Sequence, residues 1–238
     1  MKRIIPFLKT HKYMIGSVMI LFFMILISFR TNFTRIIDKT VKHRTEPVEF
    51  LIVHYTANLH PGADASANAY YLRRKHNAGC HYCIDDKEIV QCTDEENVAY
   101  AVGDRKWRGF IPKPWYAGKI RNNNSINFEM CLGGNRNDSL IMDSTAQLIG
   151  HRMVMYGLDL SRVVRHHDVS GKHCPKFNYD QSDWNQIRED SCFNVFKKTV
   201  DKYYQYNLKR KEIWKLTHEW PDSLIHIGES TINLSAND

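Results

Sequence analysis

Glycine and proline are sparse in this sequence, at 12 and 7 of 238 residues, and no internal repeat is present. This composition excludes a collagen-like chain and a low-complexity disordered one. A glycine-rich phosphate loop and a Gly-x-Ser-x-Gly elbow are also missing. With 43% hydrophobic and 25% charged residues, the chain is typical of a globular protein rather than a polytopic membrane protein.

Acidic residues are nearly absent from the first 45 positions, where Asp38 stands against nine lysines and arginines. This segment therefore has a net charge of +8, and the other 193 residues carry −1 of the total of +7. A nucleic-acid-binding protein needs a basic surface on its folded body. The charge distribution does not indicate such a surface, and we expect no nucleic acid partner.

One long apolar run lies inside this basic segment. Residues 14–29 contain no charged side chain and would form a helix about 25 Å long. A bilayer core is roughly 30 Å thick, and snorkelling of Lys12 and Arg30 would close the gap. A cleaved signal peptide would have a shorter apolar region and an A-x-A-like cleavage site, which residues 28–32 match poorly, and a core helix would not be apolar all round. We therefore expect an uncleaved signal anchor, with the following domain exported to the periplasmic or extracellular face.

The rest of the chain divides by composition into a basic tether, a folded domain and a polar extension. We expect a cytoplasmic stub and transmembrane helix over 1–30, a tether over 31–47, the domain over 48–206 and an extension over 207–238. Strand and helix patterns interleave within the domain, which predicts an α/β fold with a largely buried sheet. The expected strands are 49–55, 80–84, 88–91, 98–102, 125–132 and 162–166, and the expected helices are 66–77, 144–156 and a long helix from about 184.

Two histidines and a cysteine follow or end predicted strands in a pattern suited to zinc. His54 ends the first strand, His166 ends a later one, and Cys174 follows eight residues on. Two imidazoles and one thiolate leave the fourth tetrahedral position for water, as in catalytic zinc sites. From the residues alone His166 cannot be separated from His167, because neighbouring strand residues face opposite sides and the register is unknown. His173 is a third contender.

Six cysteines are present, and Cys80 and Cys83 match a C-x-x-C pattern. If both belong to the predicted strand, their sulfurs project to opposite faces, which argues against a redox pair. We expect most of the cysteines other than Cys174 to be buried as small hydrophobic residues.

Four segments in order carry a resemblance to a known family: FLIVHYTAN (50–58), CHYCIDDKEIVQ (80–91), NSINFEM (124–130) and HHDVSGKHCP (166–175). They resemble the zinc-dependent type 2 N-acetylmuramoyl-L-alanine amidases, a family that includes phage amidase lysins and peptidoglycan recognition proteins. The resemblance implies a central mixed β-sheet flanked by helices. It also implies hydrolysis of the amide between N-acetylmuramic acid and L-alanine, with peptidoglycan or a muropeptide as substrate.

The resemblance assigns roles to five residues. It implies Zn²⁺ held by His54, His166 and Cys174, and Glu129 as the group that moves the proton from water to the leaving amine. Lys172 matches a lysine beside the metal, where an ammonium stabilises the developing oxyanion. The alternative function is a peptidoglycan-binding module without catalysis, since recognition-type relatives that lack the zinc cysteine are inactive.

The chain departs from the family pattern at several positions. Ala101 replaces a histidine that helps to line the cleft, and Asn127 and Phe128 replace a usual Gly-Ile pair before Glu129. Cys80 stands where some phage members have a tyrosine, which favours the glutamate route. The departures affect none of the zinc ligands, and the loop over 103–124 is expected to supply other contacts to the cleft.

Overall fold

The computed structural model describes residues 32–35, 42–75, 78–102, 118–180, 182–217, 224–227 and 230–233. Within these ranges the strands are β1 (Asn32–Arg35), β2 (Phe50–Tyr55), β3 (Tyr82–Ile84), β4 (Glu88–Gln91), β5 (Ser125–Met130), β6 (Val163–Arg165), β7 (Leu224–Ile227) and β8 (Ser230–Asn233). The α-helices of the same ranges are α1 (Ala65–Arg73), α2 (Asp138–Tyr156), α3 (His166–Ser170) and α4 (Gln186–Thr217).

A six-stranded sheet in the order β1-β4-β3-β5-β2-β6 organises the domain. Strands β3 and β4 form an antiparallel hairpin, and the other neighbouring pairs are parallel. The hairpin turn is held by the Asp85 carboxylate, which accepts hydrogen bonds from the backbone N–H groups of Lys87 and Glu88. The predicted α/β fold with a central mixed sheet flanked by helices is therefore confirmed. Strands β7 and β8 pair separately.

The two faces of the sheet have different roles. On one face, apolar side chains such as Val53 and Phe128 join a buried cluster with residues of α2 and α4. Because side chains alternate along a strand, the intervening residues project to the other face. There the register pairs His54 with Glu129 and Glu129 with Cys83, across β2, β5 and β3. The sheet thus places a row of chemically reactive side chains on the face away from the two long helices.

Helix α2 begins earlier than the sequence predicts. Asn137 is its N-cap, and its side chain accepts a hydrogen bond from the Leu140 N–H. Ser144, the predicted cap, is buried one and a half turns inside the helix. The predicted start at Ser144 is wrong because an Asn cap precedes a compatible helical stretch and burial overrides the weaker local signal.

The expected strand over 98–102 is also wrong, because the described residues there make isolated backbone contacts and no ladder. Val98 donates to the Lys42 carbonyl, and Gly79 donates to the Tyr100 carbonyl. The strand expected over 162–166 ends at Arg165, and His166 instead begins α3.

Parts of the predicted tether contact the folded body. Strand β1 pairs with β4 at the edge of the sheet. Arg44 donates side-chain hydrogen bonds to the carbonyls of Glu95 at 2.9 Å, Asn123 at 2.6 Å and Ser125 at 3.0 Å. At the other end of the domain, α4 continues through the predicted boundary after residue 206.

The predicted membrane anchor over 14–29 lies outside the described residues. Among the residues that are described, none of the helices has the length and apolar character needed to cross a membrane.

Candidate metal centre

The ligand atoms of His54, His166 and Cys174 converge in a buried cluster. All three lie within 4.8 Å of one another. The Nδ1 atoms of the two histidines are 3.1 Å apart, and the Cys174 Sγ is 3.9 Å from the Nδ1 of His54. His54 lies near the end of β2 and His166 directly after β6, and these strands are parallel neighbours. Their carboxyl ends therefore present both imidazoles at the same edge.

A tight reversal of the chain brings Cys174 back to His166. Helix α3 ends at Gly171, whose φ of 77° belongs to the left-handed region that favours glycine. The Gly171 N–H donates to the His167 carbonyl, and the His167 N–H donates to the Cys174 carbonyl, both at 2.7 Å. These hydrogen bonds turn the chain back on itself, so that Cys174 lies beside His166 although eight residues separate them in sequence.

The remaining ring nitrogen of His54 contacts a side-chain amide. Its Nε2 lies 3.0 Å from the Asn127 Oδ1, which can only accept a hydrogen bond. The proton is therefore assigned to Nε2, and Nδ1 is left with a free lone pair. Burial lowers the pKa of His54 to about 4 and that of His166 to about 2, so both rings are neutral at pH 7. Neutral imidazole is the form that binds metals.

The third group, the Cys174 thiol, does not ionise easily by itself. Burial raises its pKa to about 12, and the neighbouring Glu129 carboxylate acts in the same direction. A divalent cation beside such a sulfur reverses this preference and favours the thiolate. The donor set is thus suited to a metal rather than to a free nucleophilic thiolate.

The spacing of these atoms fits tetrahedral zinc. Usual zinc bond lengths place two nitrogen ligands about 3.3 Å apart and a nitrogen and a sulfur about 3.6 Å apart. The observed separations are 3.1 Å and 3.9 Å. Three protein ligands of this kind are typical of catalytic rather than structural zinc sites.

Glu129 lies next to this cluster on the same face of the sheet. Its Oε1 is 3.9 Å from the Nδ1 of His54, and its buried Oε2 has no hydrogen-bond partner among the residues that the structure describes. A buried carboxylate oxygen without a partner is costly unless a ligand engages it. Burial raises the pKa of Glu129 to about 7, although the positive charge of Lys172 opposes the shift. A carboxyl group with a pKa near neutrality is suited to proton transfer.

A cavity of about 250 Å³ opens onto the cluster. Glu129, Lys172 and Cys174 line it together, with Tyr71 and Leu72 of α1 on another side. Lys172 is exposed and its charge influences both Glu129 and His54. The cavity therefore brings an acid–base group, a lysine and the candidate metal ligand Cys174 to one accessible place, next to the buried His54 and His166.

The two other histidines of the last motif have different surroundings. His167 and His173 both stack on the Trp184 ring, with centroid separations of 4.7 Å in each case. Of the three histidines that the residues alone left open, His166 is the one whose ring lies with His54 and Cys174. Residues 103–117 of the loop that is expected to supply other contacts to the cleft lie outside the described residues.

Comparison with known proteins identifies the family. The family model for N-acetylmuramoyl-L-alanine amidase matches residues 44–177, which is more than half of the chain. The chain belongs to this amidase family. The matched range contains all of the predicted site residues, from His54 to Cys174.

Individual amidases show the same relationship. The chain is 30% identical over 164 residues to the N-acetylmuramoyl-L-alanine amidase CwlL of Bacillus licheniformis, covering 65% of this chain and 41% of that protein. It is 30% identical over 128 residues to the amidase XlyA of Bacillus subtilis, covering 53% and 39%. The chain therefore spans about two fifths of the length of these curated relatives.

A solved structure supports the fold assignment. A mutant endolysin from Bacillus subtilis superposes with a TM-score of 0.55 at 25% identity, covering 72% of this chain and 99% of that one. Nearly the whole of that endolysin chain thus has a counterpart in this amidase fold.

Asn127 is only a departure from the amidase pattern in sequence, but its side chain contacts His54 in the structure. Asn127 replaces a usual glycine. Because it lies two residues before Glu129 in a strand, the spacing indicates that both side chains lie on the same face of the sheet. The hydrogen bond to His54 depends on the register of β2 with β5, which the sequence does not specify.

Proposed function

We propose that this chain hydrolyses the amide bond between N-acetylmuramic acid and the L-alanine of the peptidoglycan stem. The observation that carries the proposal is the convergence of His54, His166 and Cys174 beside Glu129, with Cys174 and Glu129 lining an accessible cavity. Family membership supports the reaction class. Intact wall and soluble muropeptides both contain the scissile bond.

In this proposal His54, His166 and Cys174 would hold Zn²⁺. A zinc ion so bound polarises a carbonyl and lowers the pKa of water. His54 stays neutral, with its Nε2–H donated to Asn127, so that its Nδ1 lone pair would be available to the metal. The pair of imidazoles and one thiolate brings a single negative charge to the cation.

Glu129 and Lys172 perform the acid–base and electrostatic work. The Glu129 carboxylate accepts a proton from the attacking water and then delivers it to the nitrogen of the departing alanine amine. Lys172, which lines the same cavity, stabilises the negative charge that develops on the amide oxygen. The raised pKa of Glu129 makes the second transfer easier than it would be for an ordinary carboxylate.

The test is product analysis with the full-length chain in detergent. Purified peptidoglycan is digested, and mass spectrometry identifies the released fragments. We expect free stem peptides with an L-alanine amino terminus, loss of release after chelation, and recovery on adding Zn²⁺. Cys174→Ser is expected to remove the activity, whereas Cys192→Ser, a partly buried cysteine on α4, retains it.

Two results would contradict the proposal. Cleavage at a glycosidic or peptide–peptide bond would change the reaction class. Binding to peptidoglycan without release by the zinc-loaded chain would instead favour the alternative of a non-catalytic recognition module, for which Ala101 in place of the usual cleft histidine is the supporting feature.

We further propose that residues 14–29 hold the protein in a membrane and that the amidase domain is exported. The uncharged run and the basic residues before it support this topology. Membrane fractionation, followed by protease treatment of intact cells, tests it. Mass spectrometry of the mature amino terminus distinguishes a retained anchor from a cleaved one.

A further inference from the structure

A second cluster of sulfur atoms lies apart from the candidate zinc ligands. Cys80, Cys83 and Cys92 have their Sγ atoms within 4.8 Å of one another. The Cys80 sulfur is 3.4 Å from that of Cys83 and 3.6 Å from that of Cys92. Cys131 belongs to the same buried cluster, and its thiol acts on the pKa of Cys83. Four of the six cysteines are therefore gathered in one place.

The β3–β4 hairpin creates this arrangement. Its register pairs Cys83 with Val90, and the Cys92 N–H donates to the His81 carbonyl just beyond the paired strands. Strand β3 begins only at Tyr82, so Cys80 precedes it and does not follow its alternation. The expectation that the sulfurs of Cys80 and Cys83 point to opposite faces is therefore wrong.

The surroundings of the cluster are apolar and closed. Ala65 and Ala69 of α1 pack over it, together with Val90, and Cys80, Cys83 and Cys131 are fully buried. The amide of Asn68 lies 3.6 Å from the Cys131 sulfur and donates to it. A buried free cysteine packs as a small hydrophobic residue, much as alanine or valine would, so packing alone does not explain why four of them lie together. Sulfur ligands at this spacing suit a soft metal ion.

The two sulfur separations around Cys80 can be compared with those of a tetrahedral thiolate site, which Cys131 of the same cluster would complete. Zinc–sulfur bonds of about 2.3 Å place the sulfurs about 3.8 Å apart. The separations of 3.4 Å and 3.6 Å around Cys80 are close to this edge length. A single disulfide would join only two of the four sulfurs. Cys80 lies almost equally close to Cys83 and to Cys92, so the spacing does not single out one bonded pair.

We propose that Cys80, Cys83 and Cys92 bind a second zinc ion, with Cys131 as the fourth ligand. Four protein ligands close the coordination shell, which is the pattern of a structural rather than a catalytic zinc site. Binding displaces the thiol protons to solvent. Because Cys83 is paired with Glu129 in the sheet, the ion would brace the strands that carry the catalytic face.

Metal counting tests the proposal without relying on activity. The full-length chain is purified under reducing conditions with Zn²⁺ present, and its metal content is measured by plasma mass spectrometry. We expect two zinc ions per chain, and one in Cys174→Ser, whose catalytic set is broken. One ion in the wild type and none in Cys174→Ser would overturn the inference while leaving the proposed amidase site intact.

Cobalt substitution identifies the ligands. Cys174→Ser loaded with Co²⁺ is expected to show strong thiolate-to-cobalt charge-transfer absorption from the second cluster, and Cys174→Ser with Cys192→Ser is expected to show the same band. The absence of this band would overturn the proposal. Each disulfide makes the chain lighter by two hydrogens. If the wild-type chain shows this lower mass even after purification under reductant and binds one zinc ion, the four cysteines form a disulfide and not a metal site.

Cluster variants provide the structural readout. Cys83→Ser with Cys92→Ser is expected to lose one zinc ion and to lower the unfolding temperature. Cys192→Ser, outside the cluster, is expected to keep both ions. If the double variant fails to fold, the wild-type and Cys174→Ser metal counts still decide the question. A folded double variant that keeps two ions would overturn the assignment of these ligands.

Discussion

At the scale of single residues, Asn127 determines which nitrogen of His54 faces the cluster. Its side-chain oxygen accepts from Nε2 at 3.0 Å, and its own Nδ2 donates to the Ser125 hydroxyl at 3.3 Å. The second bond fixes the orientation of the amide. Partners of this kind set the tautomer of metal-ligating histidines and raise metal affinity.

Removing this partner should weaken zinc binding. Asn127→Ala is expected to lower zinc affinity about 10- to 100-fold, because His54 loses the group that fixes its ring. Competition with a chromogenic chelator measures the change. Asn127→Asp, which keeps an acceptor, is expected to bind zinc more tightly than the alanine variant, and exposed Asn194→Ala serves as control. Unchanged affinity in Asn127→Ala would contradict the orienting role.

Glu129 should affect turnover and not metal binding. Glu129→Gln keeps the shape of the side chain but cannot accept a proton, and kcat is expected to fall about 10²- to 10⁴-fold. Zinc content should remain that of the wild type, because the carboxylate is not one of the three converging ligands. The comparison is made with Glu212→Gln, an exposed carboxylate on α4. Near-normal turnover in Glu129→Gln would remove the residue from the proposed reaction.

At the scale of elements, the close approach of α2 and α4 depends on Gly150. A Cβ added there would meet the Tyr204 backbone nitrogen at 2.8 Å and the Tyr203 Cβ at 2.9 Å. The absent side chain thus lets the two helices pack directly on each other behind the sheet. This contact supports the face opposite the candidate metal ligands.

The stability effect of alanine at this position should be opposite to its usual effect. An exposed helical glycine replaced by alanine gains about 1 kcal/mol, but Gly150→Ala is expected to lose about 1–3 kcal/mol of unfolding free energy through overpacking. Urea unfolding measures it. Gly62→Ala is the matched control, since its Cβ would meet only a histidine side chain at 3.4 Å. A stabilised Gly150→Ala would show that the helices are not in close contact.

At the scale of the whole molecule, a buried ion pair links the loop after β4 to the sheet and to α2. Glu95 accepts hydrogen bonds from Arg152 at 2.5 Å and from the hydroxyls of Tyr82 and Tyr156 at 2.7 Å. Burial alone would raise the pKa of Glu95, but Arg152 and the two hydroxyls lower it below its ordinary value. Arg44 extends the network to the chain before β2 through the Glu95 carbonyl.

This network should make stability depend on pH. Because the folded-state pKa of Glu95 is depressed, its contribution is present above the ordinary carboxyl pKa and is lost as pH falls through the folded-state value. Glu95→Gln leaves Arg152 buried without its counter-charge and is expected to cost about 3–5 kcal/mol at neutral pH. Urea unfolding across a pH series should show the difference from wild type narrowing below about pH 4. Exposed Glu96→Gln should follow the wild type, and a pH-independent difference would contradict the linkage.

Much of the fold could be predicted from local patterns. The apolar run at Phe50–Tyr55 and the hairpin signal around Asp85 correspond to strands within one residue or two. Element boundaries were less predictable where burial competed with local signals, as at Ser144, which resembles a cap in sequence but is enclosed by packing. The expected strand over 98–102 failed because an apolar stretch needs a paired neighbour to become a strand.

The sequence by itself determined the residue types and their order: a histidine after a buried strand, and a second histidine eight residues before a cysteine. Only the tertiary structure decided which atoms meet. The separation of His166 from His167, the bond between Asn127 and His54, and the grouping of four cysteines all depend on strand register and on where each strand begins. A shift of one residue moves a side chain to the other face of the sheet, and that choice is made by packing across the whole domain.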